Sequence, residues 1–193
     1  MGISALSVNR WKQVPRSVKL FLYRAFFLLV FWKIVYLLFL MPSRVFDRPI
    51  TQFVGKATTV ALNFIMASTG YSSQKEFVPL PRGSGTVWIH QEAIYYKSVK
   101  TVAIEDACNG LELFVLYAGF IICLPAAAKR KSLFVLYGLI MILSVNVFRC
   151  AGITLLIQYH PSLVDFTHHY LFTFIAYMFV VWLWLIFSKK LII

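Results

Sequence analysis

The chain has 193 residues, of which 60% are hydrophobic, 17% aromatic and only 13% charged, whereas a soluble domain carries roughly a quarter charged residues. That composition excludes a soluble globular protein and requires an integral membrane protein. The formal net charge of +12 would suit nucleic acid, but the excess sits in short flanks beside apolar segments and not on a basic face interleaved with aromatics, so no nucleic-acid partner is expected.

In chain order, the first apolar segment is 20–41, preceded by Arg10, Lys12, Arg16 and Lys19. It is longer than a signal-peptide core, and Met41-Pro42-Ser43-Arg44 is a poor cleavage site, so an uncleaved anchor is expected. Residues 50–66 carry an apolar stripe at helical spacing (Ile50, Phe53, Val54, Ala57, Val60, Ala61, Phe64, Ile65), with Gln52, Lys56, Thr59 and Asn63 opposite. This predicts a helix lying in the outer interface. A fifth span there would push the Lys129 to Lys131 loop outside, against its charge.

Between Gly70 and Glu105 the periodicity breaks, with Pro79, Pro81, Gly83 and Gly85 as turn punctuation. Segments 86–90, 93–96 and 99–104 read as short strands of a small exterior cap. Three further apolar segments follow at 107–127, 133–158 and 170–187, each near the roughly 20 residues that cross about 30 Å of hydrocarbon. The flank before the first span, the Lys129-Arg130-Lys131 loop and Lys189-Lys190 contain no acid, while all seven Asp and Glu lie elsewhere. The positive-inside rule then puts both termini in the cytoplasm. The predicted architecture is one all-α polytopic membrane domain over 1–193, with four spans, an interfacial helix and an exterior insert over 42–106 whose cap has extended segments.

Cys108 stands where the polar insert meets the second span, in the first helical turn with Asp106 as the expected N-cap. The helix macrodipole would favour a thiolate there, and Glu105 and Asp106 would oppose it. Cys123 and Cys150 read as small hydrophobes, and the three cysteines show no pairing or metal spacing. Arg149 interrupts an apolar helix at a cost of about 2.5 to 3.5 kcal/mol. It lies roughly 24 Å above the cytoplasmic end of that helix, in reach of the exterior face.

Asn146, three residues earlier, shares the face of Arg149 and is expected to orient the guanidinium, to bond substrate or to bridge helices. His168 and His169 lie in the outer loop 159–169, where an imidazole titrates near neutral pH and exchanges protons with a thiol or an amine. No third ligand accompanies them, so no metal or cofactor is expected. Glu112, one turn below Cys108, is expected to pair with Arg149, with Lys33 as the alternative partner and a protonated carboxyl as a third reading.

These pieces resemble the exosortase/archaeosortase family of membrane cysteine enzymes. Ala107-Cys108-Asn109-Gly110-Leu111 is similar to its Ala-Cys-Ser-Gly-Leu nucleophile motif, with Asn109 in the serine position. Asn146-Val147-Phe148-Arg149 is similar to its Asn-x-x-Arg motif, and His168 heads the final helix as the family histidine does. The short chain most resembles the compact members of Bacteroidetes type, in which a double histidine also occurs.

The resemblance implies Cys108 as nucleophile, His168 as proton relay and Arg149 as stabiliser of oxyanion or thiolate. It implies substrate proteins that end in a short motif, an apolar helix and a basic tail, cut or transferred at the outer face of the membrane. His168 is preferred to His169 because Phe172 and Tyr177 follow it at family-like spacing. Two other functions compete on the residues alone: a His-dependent acyltransferase or lipid hydrolase, and a non-catalytic assembly protein.

Overall fold

The computed structural model describes residues 15–82 and 85–192, and for a few of these, His169 and Lys190 among them, the backbone alone. Arg10, Lys12 and Gly83 lie outside the described residues. Helix α1, Arg16–Val35, continues through a π-helical turn at Tyr36–Leu40 and a last turn at Met41–Ser43. Arg44 then adopts a left-handed conformation (φ 51°) and redirects the chain. Helix α2 is Asp47–Ile65, followed by strands β1 Tyr71–Arg82, β2 Gly85–Tyr96 and β3 Val99–Ile104. After a 3-10 turn at Asp106–Cys108 come α3 Leu111–Cys123, α4 Ala128–Tyr159, a π-helical turn at Thr167–Leu171 and α5 Phe172–Ile192.

Among the described residues three helices are long and apolar enough to cross a membrane: Val18–Ser43, Ala128–Tyr159 and Phe172–Lys189. The segment expected to span at 107–127 is helical only over the 13 residues of α3, about 20 Å of rise. Gly110 in the left-handed region (φ 88°) delays its start, and Leu124, extended ahead of Pro125, ends it. The expected long second helix is therefore corrected to a short one, packed against α1, α4 and α5.

Two further expectations change. The cap is a three-stranded antiparallel sheet of order β1-β2-β3, so the protein is mostly helical with a β cap, not all-α. Segments 86–90 and 93–96 merge into one strand, β2, while β1 occupies a stretch that its prolines had marked as turn. Pro79 pairs with Trp88 and Pro81 with Thr86. Proline lacks a ladder donor, and an edge strand with one neighbour tolerates that.

Helix α2 turns its small and polar face inward, burying Asp47, Thr51, Val54, Gly55, Thr58 and Leu62 against the sheet and α4. Of the apolar stripe read from the sequence, Val54 joins that inward face, whereas Phe53, Val60, Phe64 and Ile65 are exposed.

Helix α4 joins two apolar cores. Ile142 packs with Leu113, Tyr117, Ile121, Val180, Leu183 and Phe187 of α3 and α5. Cys150 and Ala151 pack with Val54, Leu62, Tyr71, Ile94 and Ile104 of α2 and the cap. Close approach of α3 to α4 needs Gly138, because a Cβ there would collide with the Tyr117 ring, whose hydroxyl donates to the Phe134 carbonyl at 2.7 Å. Gly138→Leu is expected to overpack this contact and destabilise by about 1–3 kcal/mol. Tyr117→Phe, which loses one hydrogen bond, should cost about 1 kcal/mol. Unfolding temperatures in detergent check the order.

Candidate active site

Cys108 lies in the 3-10 turn ahead of α3 and not in the first turn of the helix as the sequence suggested. The turn itself supplies only two backbone bonds here, Cys108 N–H to the Glu105 carbonyl at 2.9 Å and Asn109 N–H to that of Asp106 at 3.3 Å. Asp106 does not cap α3. Its carboxylate accepts from Thr51 Oγ1 at 2.8 Å and from Arg44 Nε at 2.7 Å.

Asn109, 1% exposed, accepts the Leu111 N–H on its side-chain oxygen at 2.8 Å. Its amide donates to Asp47 Oδ1 at 2.9 Å and Thr51 Oγ1 at 3.3 Å. On the other side Asn146 Nδ2 donates to the Cys108 carbonyl at 3.1 Å. Asn146 thus holds the turn that carries Cys108, and Gly110 leaves it room to do so.

Three side chains distant in sequence meet above this turn. Cys108 Sγ lies 3.9 Å from His168 Nε2, and Arg149 Nη2 lies 3.4 Å from the same nitrogen. Arg149 comes from α4, and His168 from the π-helical turn that leads into α5. A guanidinium only donates, so the Nε2 that faces it is assigned as the unprotonated acceptor, with the proton on Nδ1. Its single lone pair faces both the Arg149 N–H and the thiol. Arg149 Nε and Asn146 Oδ1 are enclosed and make no hydrogen bond to the described residues.

Burial pushes the Cys108 thiol above its ordinary range, the Arg149 charge pulls it back, Glu105 opposes that, and a hydrogen bond from Arg149 adds to the lowering. Burial thus favours the thiol, and Arg149 is the group that favours the thiolate.

Glu112 does not pair with Arg149. It meets Lys33 of α1 at 2.5 Å, with the two side chains 63% and 57% exposed, which puts this ion pair on the outside of the bundle. The reason is angular: Glu112 follows Gly110 by two residues, and the start of α3 turns it toward α1. The side chain of His169 is not described, so the geometry bears on His168 alone. Cys123 and Cys150 are both buried.

Sequence reasoning missed Arg44, Asp47 and Thr51, which hold the turn from outside. Their signal was the inward face of α2, where Asp47, Thr51, Gly55 and Thr58 recur at intervals of three and four as a stripe of small and polar residues. The polar side expected of this helix was Gln52, Lys56, Thr59 and Asn63, of which Thr59 is buried as well.

The turn of this apolar helical bundle thus brings a thiol, an imidazole and a guanidinium together. The chain matches the family model for transmembrane exosortases over residues 16–188, and it belongs to that family. Membership implies, at family level, a membrane-embedded sorting protease or transpeptidase. No curated protein and no solved structure matches the chain.

Because Arg149 lowers the Cys108 pKa, Arg149→Gln is expected to raise it and to slow alkylation of Cys108 at neutral pH. The deficit should shrink as pH rises and both proteins become thiolate. Iodoacetamide kinetics against pH, in a background with Cys123 and Cys150 replaced by Ala, check this.

Proposed function

We propose that the protein is a membrane-embedded cysteine protease or transpeptidase that cleaves the carboxyl-terminal sorting signals of secreted proteins. The observation that carries this reading is the convergence of Cys108, His168 and Arg149, with one imidazole nitrogen facing both thiol and guanidinium.

In the reaction, His168 Nε2 takes the Cys108 proton and the sulfur attacks the scissile carbonyl carbon. The oxyanion that forms is stabilised by Arg149, whose enclosed Nε has a free N–H, an effect magnified where water is scarce. As the tetrahedral adduct collapses, the C–N bond breaks and His168 gives its proton to the departing amine. A thioester on Cys108 remains. An acceptor amine or water then attacks it, His168 takes the nucleophile's proton, and the thiol is restored.

For the setting, α3 together with its preceding turn completes a fourth crossing, antiparallel to α4, in a bacterial inner membrane. The basic flanks then lie in the cytoplasm and Cys108 at the outer face. A substrate whose apolar helix lies in the bilayer beside the bundle and whose basic tail stays inside would present its scissile bond at that level. Partners are such substrates and the lipid itself.

The test is co-expression with a reporter that ends in a motif, an apolar helix and a basic tail. Cys108→Ala should abolish processing, and His168→Ala should reduce it by about 10²–10⁴-fold. Arg149→Ala should reduce it by about 10²–10³-fold. Processing retained by Cys108→Ala but lost by His168→Ala would replace this reading with a His-dependent acyl transfer. Processing unaffected by any of the three would leave an assembly protein.

A further inference from the structure

We infer that Asp47 is a positioning residue for the nucleophile, acting through Asn109 to fix the turn that carries Cys108; the inference rests on the proposed thiol mechanism. Nothing in the turn makes its shape self-sufficient, since it is a single 3-10 turn followed by a left-handed glycine. Its geometry is imposed from outside, at three points. Asp106, two residues before the thiol, is held by Thr51 and Arg44. Asn109, one residue after it, is held by Asp47 and Thr51. The intervening carbonyl is held by Asn146.

Asp47 and Thr51 are one helical turn apart at the start of α2 and share its buried face. Both ends of the turn are thereby referred to one rigid element. Asp47 is 2% exposed, and both of its carboxylate oxygens are engaged, Oδ1 by Asn109 Nδ2 at 2.9 Å and Oδ2 by the Tyr36 hydroxyl at 3.2 Å. Among the described residues no Lys, Arg or His forms an ion pair with it.

A buried carboxylate that meets only neutral donors is costly, and packing alone would be served by an amide of the same shape. What the carboxylate adds is direction. It can only accept, so Asn109 must turn its NH₂ toward Asp47 and its carbonyl toward the Leu111 N–H. With an amide at position 47 the Asn109 side chain has a second orientation, and the link from α2 to the start of α3 loses its single register. Cys108 sits between those points, at a 3.9 Å contact that a shift of about 1 Å would break, and misplacement of that size costs about 10²-fold in rate.

The experiment uses the full chain in lipid nanodiscs, with Asp47→Asn, Asn109→Ala, the double variant, and Thr51→Val as a milder second cut of the same link. Glu76→Gln, which breaks the cap contacts to Lys100 and Tyr95 but none at the turn, is the control for general loosening of the cap. Two readouts are taken: kcat and KM for reporter processing per folded molecule, and the pH profile of Cys108 alkylation with Cys123 and Cys150 replaced by Ala.

The expected result is a fall in kcat of about 10- to 100-fold for Asp47→Asn and for Asn109→Ala, with KM within about twofold. The double variant should be no worse than the poorer single, because both cut one link. The Cys108 alkylation profile should move to higher pH as the thiol loses register with Arg149, while Glu76→Gln leaves both readouts at wild-type level. Losses that multiply in the double variant, a change confined to KM, or losses matched by Glu76→Gln would overturn the inference. The alkylation profile needs no substrate, so an unshifted profile in Asp47→Asn sinks the positioning role even if no reporter is ever cleaved. Wild-type processing that survives Cys108→Ala would instead sink the thiol mechanism.

Discussion

The hydrogen bonds of the buried Asn109 side chain tie the turn that carries Cys108 to the head of α2 and to the start of α3. On one side the amide reaches Asp47 and Thr51 at the head of α2; on the other its oxygen sets the first free N–H of α3. Helix α2 and the start of α3 therefore meet at one residue beside the thiol. A buried amide left with an unmatched donor would be expensive, so each of these elements constrains the other through it. The rest of the site, Arg149 and His168 included, gains its geometry from helices that pack around this fixed turn.

The electrostatics follow from the same placement. Cys108 is half-buried, which disfavours its thiolate, and Arg149 is the opposing influence. The same guanidinium faces the imidazole nitrogen that lies nearest the thiol. Opposed tendencies of this kind are common at reactive cysteines, where charge must appear during the reaction and not before it. Glu112, which would have complicated that balance, is carried away from the site by its ion pair with Lys33.

The division of labour between the two cores explains why α4 is the longest helix. Its lower part packs against α3 and α5, its upper part against α2 and the sheet, and Asn146 and Arg149 lie between those two zones. A residue at that junction is shielded by both cores yet faces the turn that carries Cys108. Arg149 is tolerated in an apolar helix because it is enclosed by protein at this level, where a lipid-facing position would have to pay its full desolvation.

Composition and basic flanks determined by themselves that the chain belongs in a membrane and which of its ends share a charge preference, because hydrocarbon rejects charge regardless of how helices pack. The residues of the site were legible as well: a thiol at a polar boundary, a guanidinium in an apolar helix and a histidine at a helix start are each anomalous enough to be noticed alone. What only the tertiary structure decided is how they are aimed. The short start of α3, the partner of Glu112, the inward face of α2 and the strand that runs through Pro79 and Pro81 all depend on which neighbour each segment meets. Periodicity along the chain does not record that, since nothing in the spacing of Asp47, Thr51 and Gly55 says that a buried turn will occupy their face.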